Sequence, residues 1–141
     1  MKIKIKRFNK SLPLPEYKTS GAAGFDLYVR NDEKIKSHEV KLLKANVGIK
    51  VPKNHFCLVQ GRSSTPIKFN LMVVPGVVDQ DYCGDDDEFT LEVINFGNKI
   101  VELPSGTRIA QGIFVKIMKA EFKEVAKMEV KSRGGFGTTG S

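Results

Sequence analysis

The chain has 141 residues, 40% of them apolar, and 23 Lys and Arg stand against 16 Asp and Glu for a formal net charge of +7. At about 100–200 residues per domain this is one domain able to line its own core, which excludes a two-domain enzyme and a disulfide-stapled miniature. The positive balance favours anionic partners, nucleotide triphosphates or a nucleic acid backbone, without choosing between them.

Lys2 to Phe8 alternates Ile3 and Ile5 with Lys2, Lys4 and Lys6, the period of a strand with one buried face. Leu12-Pro13-Leu14-Pro15 cannot be helical, because proline removes a donor and biases its predecessor to extended geometry. Further strands are predicted at Val47 to Val51, Phe56 to Gln60, Leu71 to Val74, Phe89 to Ile94 and Arg108 to Met118. In the last, Ile109, Ile113, Val115 and Ile117 share one parity that only Gln111 breaks. The best helix, Ser64 to Asn70, holds Pro66 and spans about two turns. Glu121 to Lys131 fits neither period well. Short strands punctuated by Gly and Pro predict an all-β fold, a barrel or jelly-roll-like sandwich.

From Lys131 the composition turns to glycine and small polar residues with one ring, Phe136. Such a segment cannot offset its ordering entropy alone, so the expected organisation is a β domain over 1–130 and a mobile segment over 131–141. Cys57 and Cys83 form no CxxC and have no histidine cluster beside them, which favours buried or half-buried free thiols in a reducing compartment. No stretch approaches the ~20 apolar residues of a membrane span. A soluble, cytoplasmic protein without membrane contact is expected.

Five motifs carry chemistry: Ala23-Gly24-Phe25-Asp26-Leu27-Tyr28; Gly61-Arg62-Ser63-Ser64; Gly76-Val77-Val78-Asp79-Gln80-Asp81-Tyr82-Cys83-Gly84; Gly106-Thr107-Arg108-Ile109-Ala110-Gln111; and Arg133-Gly134-Gly135-Phe136-Gly137-Thr138-Thr139-Gly140. On residue chemistry alone, the second offers a guanidinium, hydroxyls and amides suited to phosphate oxygens. The third reads as a hairpin projecting Asp79 and Asp81, and a carboxylate beside a polyphosphate can orient and deprotonate water. Gln111 interrupts an apolar strand, and a buried amide needs a polar partner. Leu27 and Tyr28 read as core, and His38 and His55 as structural or solvent-facing. The run Asp85-Asp86-Asp87-Glu88 lacks an EF-hand pattern and reads as a solvated loop.

In this order and within this length, the five motifs resemble those of the trimeric dUTPases, from about Ala22 to Gly140. The resemblance implies a homotrimeric jelly-roll enzyme that converts dUTP to dUMP and pyrophosphate, limiting uracil in DNA and supplying dUMP for thymidylate synthesis. It makes Asp79 the catalytic residue, holding the water and the deoxyribose 3′-hydroxyl. Arg62, Ser63, the Ser64 amide, Gln111 and Arg133 would contact phosphates. The backbone of Gly76 and Val78 would read uracil, and Tyr82 would pack under the sugar where it leaves no room for a 2′-hydroxyl. Phe136, Gly137, Thr138 and Thr139 would close over the ligand as a lid. Mg²⁺ would arrive on the three phosphates and be touched by no protein ligand directly, with Asp26 reaching it through water.

The sequence departs from the family pattern in two places. The stretch from Gly84 to Asn95 is longer than in most members and contains the acidic run. Arg133 directly precedes Gly134, whereas many members place the arginine one glycine further upstream, the more usual position being that of Lys131; the resemblance keeps Arg133 for the γ-phosphate, with Lys131 as a second candidate. A rival reading is dCTP deaminase, which shares the fold; there Glu92, three residues before Asn95, would be the proton shuttle. A regulatory macromolecule-binding role on the same scaffold is a third. No specific nucleic-acid binding is expected, because the basic residues are scattered and do not alternate with aromatics.

Overall fold

The computed structural model describes residues 1–140; Ser141, the end of the predicted mobile segment, lies outside the described residues. The strands are β1 (Ile5–Arg7), β2 (Phe25–Tyr28), β3 (Glu33–Ile35), β4 (Val40–Lys44), β5 (Val47–Ile49), β6 (His55–Gly61), β7 (Leu71–Val73), β8 (Gly76–Val78), β9 (Thr90–Asn95), β10 (Val101–Leu103) and β11 (Arg108–Lys116), with one short helix, α1 (Thr65–Phe69). Every pairing is antiparallel. The sheets run β2-β11-β6-β8, β4-β9-β7, β10-β3 and β1-β5. Among the described residues no helix is long and apolar enough to cross a membrane.

Alternation builds the core. On the β4-β9-β7 sheet Leu43, Leu71, Val73, Leu91 and Val93 point inward and meet Leu27, Cys57, Val59 and Phe25 from the larger sheet. Phe89, entirely buried just before β9, locks the two together; truncating such a side chain to alanine costs about 3–5 kcal/mol. Leu27 and Tyr28 are buried, as the sequence predicts. Helix α1 falls where the Ser64 to Asn70 prediction puts it, with Pro66 in its first turn, where a missing N–H costs nothing, and Asn70 closing it in the left-handed region at φ 51°.

Several expectations are corrected. β11 forms, but its register against β2 shifts between Arg108 and Ala110. This bulge buries Ile109 and Ala110 side by side and turns Ile113, Val115 and Gln111 to the outer face, while Ala110 and Gly112 point to the core. Gly112 sits under Phe25, where a Cβ would come within 2.5 Å of Cζ. The first strand is only β1, and Ile5 is exposed because nothing covers that face; with Met1, Ile3, Pro15, Tyr17, Phe25, Ile49 and Phe114 it lines an apolar cavity of about 390 Å³. The Gly76 to Gly84 hairpin has no regular return strand: β8 pairs with β6, and the residues from Asp79 to Phe89 are a loop. Cys57 is buried but Cys83 is exposed. Glu121 to Lys131 holds neither helix nor strand, and the regular scaffold ends with β11.

Candidate active site

The outer face of the larger sheet gathers the polar motifs. Direct cross-strand partners share a face, so the register Asp26↔Gln111 and Gln111↔Gln60 lays these three side chains in one row across β2, β11 and β6. Asp26 is only 7% exposed and is clamped between two guanidiniums. Arg108 Nη1 donates to Oδ2 at 2.8 Å, and Arg62 Nε lies 3.2 Å from Oδ1. A buried carboxylate requires such partners, and one carboxylate between two arginines leaves a net positive charge facing outward. The backbone holds the cluster: Arg62 N donates to the Ile109 carbonyl at 3.0 Å, and Thr65 Oγ1 donates to the same oxygen at 2.6 Å. Arg62 Nη1 also reaches the Arg108 carbonyl at 3.3 Å.

Ser63 is exposed and Ser64 half-buried at the helix start, where the Ser64 hydroxyl makes no capping bond. Gln111 is half-buried. Its Oε1 lies 2.6 Å from where a Cβ on Gly24 would stand, so a side chain at Gly24 would turn the Gln111 amide out of its place. Arg108 stands inside the fourth motif without any local sign of a role; only its position opposite Tyr28, next to Asp26, reveals the clamp.

A second group forms at the opposite end of β6. Val77, Val78, Asp79, Tyr82, Phe89 and Thr90 line a cavity of about 240 Å³. Gly76 and Val78 are half-buried strand residues with their backbone on β6, and Asp79 is exposed. Tyr82 is 41% exposed; its hydroxyl donates to the Glu88 carbonyl at 3.1 Å. Glu88 is buried and ion-paired with Arg30 at 3.0 Å, which corrects the reading of Asp85-Asp86-Asp87-Glu88 as wholly solvated. Asp87 turns back to accept from Gly84 N at 2.6 Å.

The two groups do not meet within one chain. The β8 register puts Asp79 level with Phe56, whereas Arg62 lies past the other end of β6. At ~3.3 Å per residue, the stretch from Phe56 to Arg62 spans roughly 20 Å.

The third group is the tail. Arg133, Gly137, Thr138 and Thr139 are exposed, as is the whole Phe136 ring. The segment's hydrogen bonds run within it, from Gly134 N to Ser132 Oγ, Thr138 N to Gly135 O and Gly140 N to Gly137 O.

Glu92 is exposed on β9 opposite Leu42. Asn95 is fully buried and spent on the fold, its Nδ2 donating to the Ile35 and Lys99 carbonyls and its Oδ1 accepting from Gly97 N. The geometry therefore builds no Glu-Asn pair of the deaminase kind.

The dUTPase family profile matches residues 10–140, a span that contains all five motifs. The chain belongs to the dUTPase family. The deoxyuridine 5′-triphosphate nucleotidohydrolase of Helicobacter pylori strain 26695 is 38% identical over 144 residues, covering 99% of this chain and 97% of the relative. That of Nautilia profundicola is 35% identical over 144 residues, covering 99% of each. Among solved structures, the dUTPase of Staphylococcus bacteriophage 80alpha with dUPNHPP superposes with a TM-score of 0.89 at 22% identity, covering 99% of both chains. The dUTPase from phage phi11 of S. aureus gives 0.84 at 18% identity, over 92% of this chain and 99% of its own. At such identities the likeness is one of fold, and it establishes the all-β jelly roll of the dUTPases for this chain.

Proposed function

We propose that this chain is a dUTP diphosphatase that hydrolyses dUTP to dUMP and pyrophosphate, limiting uracil in DNA and supplying dUMP for thymidylate synthesis. The observation that carries the reading is the family match over residues 10–140, which spans the five motifs in unbroken order. The polar clamp and the Asp79 cavity give those motifs the chemistry the reaction needs.

In this mechanism the Asp79 carboxylate orients a water molecule and takes its proton as the oxygen attacks the α-phosphorus. The bond from the α-phosphorus to the bridging oxygen then breaks, and pyrophosphate leaves with the electron pair. Arg62, Ser63, the Ser64 amide and Gln111 hold the phosphate chain, and Arg133 closes on its far end. Catalysis rests on positioning and charge stabilisation, with no covalent ester on the protein. The backbone of Gly76 and Val78 reads the uracil edge while Tyr82 packs under the sugar. Residues 131–141 serve as a lid apart from the 1–130 domain, with Phe136 over the base and Gly137, Thr138 and Thr139 along the phosphates.

Mg²⁺ fits this donor set as a companion of the substrate. Both Asp26 oxygens are taken by arginines, so Asp26 would meet the ion through water. Bound with the substrate, Mg²⁺ would supply neutralisation of the triphosphate charge.

A site whose parts lie roughly 20 Å apart in one chain is completed when copies share it, which supports the homotrimer. Apolar surface is available for such contacts: Val40, Leu42 and Met72 are exposed on the outer face of the β4-β9-β7 sheet, and Met118, Phe122, Val125, Met128 and Val130 on the segment after β11.

Product analysis tests the reading. Pyrophosphate should be released from dUTP with Mg²⁺ and far more slowly from dTTP, dCTP and UTP. Ammonia released from dCTP at a rate comparable to dUTP cleavage would overturn it in favour of the deaminase.

A further inference from the structure

The loop that follows β8 hangs on a buried charge. Glu88 is 3% exposed, although the acidic residues just before it reach solvent. Its Oε1 accepts from Asn46 N at 2.9 Å and lies 3.0 Å from Arg30 Nε. That nitrogen is itself buried and makes no hydrogen bond, so the pair is held by charge without hydrogen-bond alignment. Burying a carboxylate is costly unless it is paired, and removing one partner strands the other. Arg30 is fixed in turn: its N–H donates to the Lys44 carbonyl at 2.8 Å and its own carbonyl accepts from Ser105 Oγ at 2.7 Å.

The neighbouring Phe89 is fully buried. Its N–H donates to Val47 O at 2.8 Å, and its carbonyl accepts from Ala45 N at 2.9 Å. Glu88 is therefore a pinned point at the end of an otherwise open loop. Tyr82, by contrast, stands on that loop with one backbone bond of 3.3 Å to the Asp79 carbonyl. Its hydroxyl contact to the Glu88 carbonyl at 3.1 Å ties its ring to the pinned point.

We propose that Glu88 and Arg30 are positioning residues for sugar selection: their buried pair fixes the Glu88 carbonyl, and that carbonyl holds the Tyr82 ring in the cavity beside Asp79. The proposal rests on the reading of the chain as a dUTP diphosphatase with Tyr82 under the deoxyribose. A ring tied at its hydroxyl resists displacement by a ribose 2′-hydroxyl, whereas a free one yields to it. Loosening the anchor would thus act on the choice between dUTP and UTP more than on turnover of dUTP.

The test is the ratio of kcat/KM for dUTP over UTP in the natural chain, Glu88→Gln, Tyr82→Phe and the double variant. Glu88→Gln and Tyr82→Phe should each lower the ratio by at least ~10-fold, and the double variant should be no worse than Tyr82→Phe alone, because both act through one contact. A folded Glu88→Gln protein with an unchanged ratio overturns the proposal, as does a double variant whose losses multiply. If Glu88→Gln does not fold, Arg30→Gln breaks the pair from the other side. Tyr82→Phe removes only a partly exposed hydroxyl and tests the anchor without touching the buried charge; a ratio unchanged there also overturns the proposal. Failure of the underlying reading shows separately, as absence of dUTP cleavage in the natural chain.

Discussion

Asp79 follows β8 directly and is exposed, so the role of base proposed for it would depend on the substrate excluding bulk water around it. Asp79→Asn keeps the shape and removes the proton acceptor; turnover should fall by at least ~10²-fold while a non-hydrolysable dUTP analogue still binds. Pyrophosphate release and an analogue titration measure the two quantities, and near-normal turnover would remove Asp79 from the role. The cysteines make a contrasting pair, because burial pushes the Cys57 thiol up to about 12 whereas Cys83 is exposed. Below the ordinary thiol range both folded and unfolded chains keep Cys57 protonated, and it contributes no pH dependence. Between about pH 9 and 12 the unfolded chain loses this proton and the folded chain retains it, so stability should fall as pH rises through that window. Urea midpoints across this range should drop less in Cys57→Ala than in the natural chain. At pH 8 an alkylating reagent should modify Cys83 and spare Cys57 until the protein unfolds.

β11 shows what an element can hide. Its strand character is legible from Arg108 onward, but the apolar parity that rightly keeps Ile109 inward would carry Ile113 and Val115 inward with it, and the structure turns both to the outer face. A bulge adds one residue without any signal in the side-chain period, and everything from Ala110 onward changes face. The same bulge brings Gly112 under Phe25. Gly112→Ala should lower stability by about 1–3 kcal/mol, since its methyl would press on a ring already packed against Phe114 and Tyr17. Calorimetry reads this, and an unchanged Tm would mean that the Phe25 ring has room to move. The loop after β8 was illegible for another reason. Consecutive acids read as solvated, and the buried one needs Arg30, a partner far upstream that no local pattern indicates. The candidate site residues were legible one by one because their motifs are contiguous; the Arg108 clamp on Asp26 was not, because it is a cross-strand contact.

At the scale of the molecule, the separation of the site's parts is what no motif announces. Asp79 and Tyr82 stand at one end of β6, and Asp26, Arg62 and Gln111 at the other, so a triphosphate with its α-phosphorus beside Asp79 cannot reach Arg62 of the same chain across roughly 20 Å. A rigid sheet does not fold back to close that gap, whereas in the proposed trimer a neighbouring copy turned about the symmetry axis would bring its Arg62 end to this copy's Asp79 end. Complementation follows. Asp79→Asn and Arg62→Gln chains should each be nearly inactive alone. Unfolded together in equal amounts and refolded, they should regain activity, because a site between an Arg62→Gln chain that supplies Asp79 and an Asp79→Asn chain that supplies Arg62 is intact. With random assembly such sites are roughly a quarter of the total, and the regained rate should approach that share of the natural one. The two variants mixed without unfolding should stay inactive for as long as subunits do not exchange. If the refolded mixture shows no activity above the sum of its parts while forming mixed oligomers by mass, each site lies within one chain, and the separation along β6 must close by a rearrangement of the loop after β8.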